Sequence, residues 1–599
     1  MAAKRFPSPF DVEPPEGAEG WEELYSYSLP FSEDRRDYED DRFWFHDSVH
    51  WGEALPPWDA THIEQAFMSL GQANSRVFVV PPAMGVDLRV LYGYNYISPI
   101  QLSDPKEIEA RVPEFMDRAG YYFQNWNELY DRWLVKVKGT VSKVRALDFK
   151  PLGKRASLQR VKAGSGIFQG HDLMRGYHEL YDHVLTLWHY HFELLNLGYV
   201  AYLDFFGFCK EAFPNIPDLA VAKMVAGIDI ELFRPDRELK GLAKLAIEEG
   251  VEGAFGHDDP AEVQKELEGT KVWARLEEVR HPWFEYSAGT GLYHTDKVWN
   301  DHLEVPFGYI RDYAKRLKGG AEIEQPIEKV REERDRIIAE YRALLDGVDQ
   351  EAFDQKVGLA GLVFPYVENH NFYIEHYSMS SVWRKMRELG RVFVDAGFFD
   401  EEEDIFMLKR DEIPEALWDM VSAWGIGSDK PRGPSYWPPK IARRRKILEA
   451  LRRYRPPRAL GEPPEVVTEP FSVMLWGITA DGIQTWLGAD DGSKGLKGFA
   501  ASSGVIEGKA RVVFHADDIG DIEEGDILVA PATAPSWGPA FNRIAAAVTD
   551  TGGMMSHAAI ICREYGLPAV TGTGLATTII KTGQRLRVDG ATGTVTVLS

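Results

Sequence analysis

One histidine near the C-terminal end of the sequence has the surroundings of a nucleophile that can accept a phosphoryl group. His557 follows the pair Gly552-Gly553 and begins a segment of helical apolar spacing that stops at Gly566. The free N–H groups and the dipole of a helix start favour an anion and disfavour a charged imidazolium. We therefore expect a neutral, nucleophilic imidazole, although a lone histidine at a helix start can also be a capping or surface residue.

Five residues of the same region are candidates for binding the phosphoryl group. Gly552 and Gly553 allow backbone N–H groups to turn toward an anion, and Ser556 directly precedes the nucleophile. Arg543 and Arg563 offer guanidinium groups, whose planar geometry suits phosphate. Surface salt bridges are the alternative role for both arginines.

Changes in composition divide the sequence into three parts. Residues 1–465 consist of a proline- and tryptophan-rich arm followed by long amphipathic helical patterns, and residues 466–496 form a linker. Residues 497–599 contain short β runs around two helices. The predicted fold class is multidomain α+β, with a large, mainly α-helical substrate-binding body followed by a C-terminal β/α domain. The glycine-rich segment 488–496 is the predicted hinge of this domain.

The first part also contains signals for individual elements. The apolar runs Arg76–Val80 and Leu88–Tyr92 predict two strands. Asp104 before Pro105 predicts the N-cap of the first long helix.

The composition narrows the class of protein. The 68 lysines and arginines against 93 acidic residues give a net charge of −25, which repels nucleic acid and anionic lipid. No apolar run approaches the roughly 18 residues that a membrane helix needs. Two cysteines support neither a disulfide framework nor a thiolate metal cluster, and we predict no metal site in this chain. The expectation is a cytoplasmic protein that binds neither nucleic acid nor membrane.

Four motifs of the C-terminal part together resemble a known family. They are Ser503–Val513, Gly525–Ala530, the histidine stretch Thr551–Pro568 and Val588–Gly593. With these motifs the region resembles the phosphohistidine swivelling domain of the phosphoenolpyruvate-utilising enzymes. Met555 stands where many members have threonine, and Cys562 where many have alanine.

The resemblance implies a reaction and its cofactors. In this family ATP is split to AMP and phosphate, the β-phosphoryl group rests on the histidine that matches His557, and Mg²⁺ is needed at the nucleotide step. The sequence contains no Gly-x-x-x-x-Gly-Lys-Ser/Thr loop, and residues 1–465 do not look like an ATP-grasp module. We therefore expect ATP and Mg²⁺ to be bound mainly by a separate ATP-grasp subunit. No barrel for phosphoenolpyruvate follows the histidine domain in this sequence.

The arrangement is most similar to the phosphohistidine and substrate-binding subunits of phenylphosphate synthase and of the hydroxyacetophenone-phosphorylating dikinases. The helical body also resembles, more loosely, that of rifampicin phosphotransferase. The similarity implies that a small phenolic hydroxyl is phosphorylated, in the breakdown of aromatic compounds. An antibiotic phosphotransferase and a regulatory phosphocarrier without acceptor chemistry are the alternatives.

Three residues of the helical body are candidates for the acceptor site. His294 lies in a loop with Gly289 and Gly291 that could close on a ligand, and Glu368 stands two residues before His370. Such groups can take the proton of an acceptor hydroxyl. Histidines in aromatic helices are also frequent as hydrogen-bonded core residues, and this alternative stays open.

Overall fold

The computed structural model describes residues 5–467, 469, 471–488, 496–514 and 516–598, which form two compact units. The first unit comprises Met1–Asp47, Trp51–Glu193 and Ser378–Pro463. The second comprises Ser48–His50, Leu194–Tyr377 and Pro464–Ser599. The prediction of a multidomain α+β fold is confirmed. The boundaries at 465 and 497 stay a prediction, since residues 1–465 contribute to both units.

The first unit joins long helices to a small sheet. The sheet is antiparallel throughout, in the spatial order Ala83–Leu91, Tyr94–Gln101, Phe43–His46 and Ala459–Gly461. Its α-helices are Arg36–Asp40, Ala60–Gln72, Pro105–Gln124, Trp126–Ala146, Leu158–Lys162, Met379–Asp395, Glu412–Gly425 and Gly433–Arg453, together with the first part of Gln169–Ala212. The predicted N-cap is present, because the Asp104 side chain accepts a hydrogen bond of 2.9 Å from the Lys106 N–H.

One of the two predicted strands of this unit is wrong. Leu88–Tyr92 overlaps the strand Ala83–Leu91, but the chain before it continues the preceding helix as a π-turn, Ala73–Val77. Phe78 N–H donates to the Ala73 carbonyl at 2.8 Å, as at a helix end. The Arg118 guanidinium caps the free carbonyls of Arg76 and Val77. These bonds satisfy the backbone locally, so the β-branched run needs no strand partner.

The helical part of the second unit lies between Leu194 and Tyr377. After the second part of Gln169–Ala212, its α-helices are Asp218–Lys223, Arg234–Glu249, Pro260–Leu267, Lys271–Trp283, Glu304–Lys318, Ile327–Arg342, Gly347–Val363 and Pro365–His370, and the last of these continues as the π-helix Asn371–Ser378.

The rest of the second unit, which we call the carrier region, is built on an eight-stranded sheet. The spatial order is Leu496–Lys497, Thr594–Val597, Arg585–Asp589, Val505–Val512, Ile527–Ala530, Ala546–Thr549, Ala569–Thr571 and Phe499–Ser502. The four strands from Val505–Val512 to Ala569–Thr571 are parallel, and the remaining pairs are antiparallel. The α-helices of this region are Ala480–Gly488, Gly538–Phe541, His557–Tyr565 and Ala576–Ile579. Its core contains Ile527, Val529, Val548 and Val570.

The predicted hinge 488–496 lies outside the described residues except for its two ends. None of the helices that the structure describes combines the length and the apolar character that a bilayer crossing requires.

Candidate functional site

A tight turn delivers His557 from the sheet to the start of a helix. The strand Ala546–Thr549 is buried along its whole length, and the helix His557–Tyr565 begins after the turn, with Ser556 as N-cap. Gly552 has φ +107°, and a Cβ there would lie 2.6 Å from the Ser556 Oγ. A Cβ on Gly553 would collide with the carbonyl oxygens of Val473 and Met474. Both glycines are therefore required by close packing of the turn.

The N–H groups of this turn bind protein carbonyls in the structure. Gly552 donates to Trp476 O at 3.1 Å, and Gly553 donates to Leu475 O at 3.0 Å. The Ser556 hydroxyl donates back to the Gly553 carbonyl at 2.8 Å. These bonds attach the turn to the segment Ser472–Trp476, so the three residues fix the position of the nucleophile. Their binding of a phosphoryl group stays a prediction.

The imidazole of His557 is oriented by a carboxylate from the helical part of the second unit. Its Nδ1 lies 3.0 Å from Oε2 of Glu368, a residue that is buried in the helix Pro365–His370. A carboxylate only accepts hydrogen bonds, so Nδ1 carries the proton of the neutral ring. The lone pair then resides on Nε2, which is the nitrogen available for attack on phosphorus.

Nε2 of His557 is buried without a hydrogen-bond partner among the described residues. His557 lines a small cavity that has about 10 Å³ of room, about enough for one water molecule. Aromatic and apolar side chains form most of the wall, with Asp236 as the charged member. The other lining residues are Leu232, Phe233, Tyr286, Trp299, Gly538, Pro539 and Ile561. A phosphoryl group on Nε2 requires this wall to move outward.

The sequence suggested Glu368 and His370 together as acceptor-site candidates, and the structure gives each of them a different contact. Their role at an acceptor site stays a prediction. The Nδ1 atom of His370 lies 3.1 Å from the Tyr366 carbonyl one turn earlier, and the two rings are stacked. Glu368 instead reaches His557. Residues two apart face different sides of a helix, which explains the separate partners.

His294 is buried at 5% exposure, and it is not part of the cavity lining at His557. The loop before it is fixed by specific contacts: Gly291 N–H donates to Asp296 Oδ2 at 2.7 Å, and the Gly289 carbonyl accepts from the Ser536 hydroxyl at 2.9 Å. A Cβ on Gly291 would collide with the Glu375 carbonyl. The glycine thus permits close packing in this structure, and an acceptor role of His294 stays a prediction.

Both candidate arginines bind backbone carbonyls within the carrier region. Arg563 donates to Ala501 O at 3.1 Å and to Met554 O at 2.9 Å, and burial lowers the pKa of its guanidinium. Arg543 donates to the Ile522 carbonyl. These contacts give both residues a structural role here, and binding of phosphate by either stays a prediction.

The structural role of Arg563 has a measurable consequence. We expect Arg563→Met to lower the free energy of unfolding by about 2–3 kcal/mol, because two buried carbonyls lose their donor. Urea unfolding of the unphosphorylated protein measures this change. Arg585→Met, at a largely exposed arginine, is the control and should change it by less than about 0.5 kcal/mol. Equal, small changes in both variants would contradict the structural role.

The helix that begins at His557 also contains a carboxylate, Glu564, which binds the helical part of the unit. Both oxygens of Glu564 accept from the Gly227 N–H, at 2.9 and 3.1 Å. Burial raises the pKa of Glu564 to about 7, and these hydrogen bonds together with Arg563 and Arg334 offset only part of the effect.

This raised pKa predicts a pH dependence of stability. Glu564 binds a proton more readily in the folded chain than in the unfolded chain, where its pKa is about 4.5. Its stabilising contribution is therefore complete below pH 4.5 and is lost as the pH rises through 7. Relative to Glu564→Gln, whose amide stays neutral, wild type should lose about 3 kcal/mol across this range. If the difference in unfolding free energy between the two proteins were the same at every pH, the raised pKa of Glu564 would be excluded.

A polar cluster that the sequence analysis missed adjoins the cavity at His557. Asp236 accepts from Lys240 at 2.6 Å, from Tyr565 at 3.4 Å and from Tyr313. Burial raises the pKa of both tyrosines well above the ordinary value, so their hydroxyls remain donors. The sequence did contain one signal for this cluster, because Asp236 and Lys240 stand four residues apart. This spacing is also common for ion pairs on exposed helices, so it does not identify a buried cluster.

Comparison with known proteins agrees with this geometry. Residues 522–593 match the family described as "PEP-utilising enzyme, mobile domain". The chain is 26% identical over 570 residues to chondramide synthase of Chondromyces crocatus, covering 93% of this chain and 14% of that protein. It is 32% identical over 309 residues to rifampicin phosphotransferase of Streptomyces sviceus, covering 50% of this chain and 32% of that protein.

A shorter and stronger similarity is confined to about 100 residues. The probable phosphoenolpyruvate synthase of Archaeoglobus fulgidus is 52% identical over this length, which is 17% of this chain and 13% of that protein. The chain thus spans about a third or less of the length of each of these three relatives. Residues 522–593, which include His557, are therefore similar to the mobile domain of the PEP-utilising enzymes.

Proposed function

We propose that this chain is the phosphohistidine-carrying and acceptor-binding part of an ATP-dependent phosphotransferase. The observation that supports this function best is the geometry of His557. Glu368 holds the proton on Nδ1, and Nε2 has no hydrogen-bond partner among the described residues, at a cavity beside the helix start. This arrangement presents a neutral nitrogen nucleophile.

The proposed reaction has two steps. In the first, the Nε2 lone pair of His557 attacks the β-phosphorus of ATP, the bond from this phosphorus to the AMP oxygen breaks, and its electron pair leaves with AMP; water then cleaves off the γ-phosphoryl group as phosphate, which leaves the β-phosphoryl group on Nε2. In the second, an acceptor hydroxyl attacks the phosphorus and gives its proton to a base. The N–P bond breaks, and its electron pair returns to Nε2. Because Nδ1 stays protonated, the ring departs as neutral imidazole rather than as an anion.

ATP and Mg²⁺ are assigned to an ATP-grasp unit outside the described residues. The carboxylate nearest to His557 belongs to Glu368, and its contact with Nδ1 makes it a poor ligand for a cation. Mg²⁺ would neutralise charge on the nucleotide phosphates when it is bound there. His557 must then reach two sites in turn: a donor station, where ATP phosphorylates it, and the site where the acceptor binds. We therefore propose that the carrier region moves between them.

We propose a small phenol as the acceptor. Phe233, Tyr286 and Trp299 supply aromatic walls to the cavity at His557, and a phenol ring would pack against them once the wall has moved outward, since the cavity of about 10 Å³ has room for about one water molecule. The second candidate is an antibiotic phosphotransferase. The similarity to rifampicin phosphotransferase over half of this chain favours it. A regulatory phosphocarrier would need neither acceptor.

Parallel reactions with two different acceptors test these alternatives. The chain, its ATP-binding partner and ATP are incubated with phenol or with rifampicin, and the phosphorylated products are measured by ³¹P NMR. Phenyl phosphate as the main product supports the proposal, whereas phosphorylated rifampicin assigns the antibiotic function. A stable phosphohistidine that is discharged to neither acceptor favours the regulatory carrier.

A further inference from the structure

A second cavity, with no lining residue in common with the cavity at His557, opens in the helical part of the second unit. It has about 280 Å³ of room, close to the lower end of the volumes typical of small-molecule sites. One side is formed by Asp229 and by Arg237 and Lys240 of the helix Arg234–Glu249. The cavity is therefore large enough for a small metabolite but not for a macrocycle.

The other lining residues come from the start of the helix Ile327–Arg342 and from the segment before it. They are Glu324, Gln325, Ile327 and Arg331. Together the lining residues present three cations and two carboxylates, and each cation is already paired with a carboxylate: Arg237 with Asp229 at 2.6 Å, Lys240 with Asp236 at 2.6 Å and Arg331 with Glu328 at 3.2 Å. The partners of the two guanidinium groups, Asp229 and Glu328, are 68% and 77% exposed, so a dianionic phosphate can compete with them for the arginines.

The charged side chains of the lining differ in how deeply they are buried. Lys240 is only 2% exposed, whereas the side chains of Asp229 and Glu324 are 68% and 51% exposed. Water and salt screen the two exposed carboxylates, whereas the buried ammonium of Lys240 is held in an ion pair with Asp236, which is also buried. Arg237 and Arg331 lie between these extremes, at 32% and 37% exposure. An anion that enters the cavity therefore meets first the two guanidinium groups, whose carboxylate partners are exposed.

The remaining lining determines what else the ligand can contain. Ile327 is its single apolar member, and the lining contains no aromatic ring on which a nucleobase could stack. Gln325 and the exposed carboxylates of Asp229 and Glu324 can hydrogen-bond to hydroxyl groups. We propose that this cavity binds a small phosphate monoester with a hydroxyl-bearing body, such as a sugar phosphate, at a site distinct from the phosphohistidine.

The proposed site adjoins the cavity at His557 through one ion pair. Lys240 lines the second cavity, and its partner Asp236, at 2.6 Å, lines the first. A phosphate group that draws the ammonium toward itself lengthens this pair. Occupancy of the second cavity thereby changes the field on the wall that faces His557.

Calorimetry on the full chain tests the site without any phosphotransfer. The probes are glucose 6-phosphate, AMP and inorganic phosphate, each titrated at low and at high salt. We expect glucose 6-phosphate to bind most tightly, and Arg237→Gln to weaken it about tenfold by removing one charged hydrogen-bond donor. Arg311→Gln, which removes the same charge at a largely exposed position outside the lining, should leave the affinity unchanged within about twofold.

The outcomes separate clearly. Tight binding of glucose 6-phosphate that weakens with salt and with Arg237→Gln supports the site. Failure of all three probes to bind, or equal weakening by both arginine variants, overturns it. Inorganic phosphate or AMP binding as tightly as glucose 6-phosphate overturns the assigned ligand class. Lys240→Met is a further variant, and it should abolish binding in any preparation whose circular dichroism matches wild type.

Discussion

Replacing His557 is expected to abolish covalent phosphorylation of this chain. His557→Ala removes the imidazole whose Nε2 has no hydrogen-bond partner among the described residues, at the cavity beside the helix start. It also leaves the buried carboxylate of Glu368 without its imidazole partner, which has a cost in stability. His557→Asn is therefore the better variant, since its amide N–H can still donate to the carboxylate although the side chain cannot be phosphorylated.

The measurement uses ATP labelled at the β-phosphorus together with the ATP-binding partner. Wild type should acquire an acid-labile, base-stable label, as expected for phosphohistidine, and neither His557→Ala nor His557→Asn should acquire any. His302→Ala, which removes an exposed histidine of the same unit, should be labelled at the wild-type rate. A label that persists in both His557 variants would place the phosphoryl group on another residue and refute the proposed carrier.

The carrier region could be predicted because its buried strands can be recognised from the sequence pattern. Ile527–Ala530 and Ala546–Thr549 are buried along their full length, and parallel strands of this kind appear as short continuous apolar runs. The glycine turn and the helix that starts at His557 were predicted for the same reason, since their signals are local. The strand at Arg76–Val80 was wrong because a β-branched run can also end a helix when side chains such as Arg118 cap its carbonyls.

The partner of His557 was not predictable from local pattern. Glu368 lies 189 residues earlier in the chain. Its proximity to His370 in the sequence suggested that these two residues act together, whereas residues two apart face different sides of a helix. Asp236 was missed because its environment is created by Tyr313 and Tyr565, which come from distant segments. Such sites depend on tertiary packing, and a single sequence contains no record of it.

Glu368 is expected to act on the second half of the reaction rather than on the first. Its carboxylate contacts Nδ1 when the carrier region is packed on the helical part of the second unit. In the proposed mechanism the phosphohistidine is discharged in this arrangement, after it has been charged at a donor station elsewhere. A carboxylate at Nδ1 keeps a proton on that nitrogen, so that the ring leaves phosphorus as neutral imidazole.

The variant Glu368→Gln removes this charge with little change in shape. A hydrogen bond to a charged group contributes about 1.5–3 kcal/mol, so we expect discharge to slow by about 10- to 150-fold. Charging by ATP should change less than about threefold, because the contact is absent at the donor station. Single-turnover experiments measure the two rates separately, by appearance of label on the chain and by its loss after addition of phenol.

Glu375→Gln is the matched control, because it changes another buried carboxylate of the same helical segment. Burial raises the pKa of Glu375, and the nearby imidazoles, His557 among them, lower it by less. Because Glu375→Gln leaves the hydrogen bond between Glu368 and Nδ1 in place, we expect both rates to change much less than in Glu368→Gln. Glu368→Asp should recover part of the discharge rate, since it restores the charge at a greater distance from Nδ1. If Glu368→Gln slowed charging as strongly as discharge, the contact with His557 would belong to the donor station, and the proposed order of events would have to be reversed.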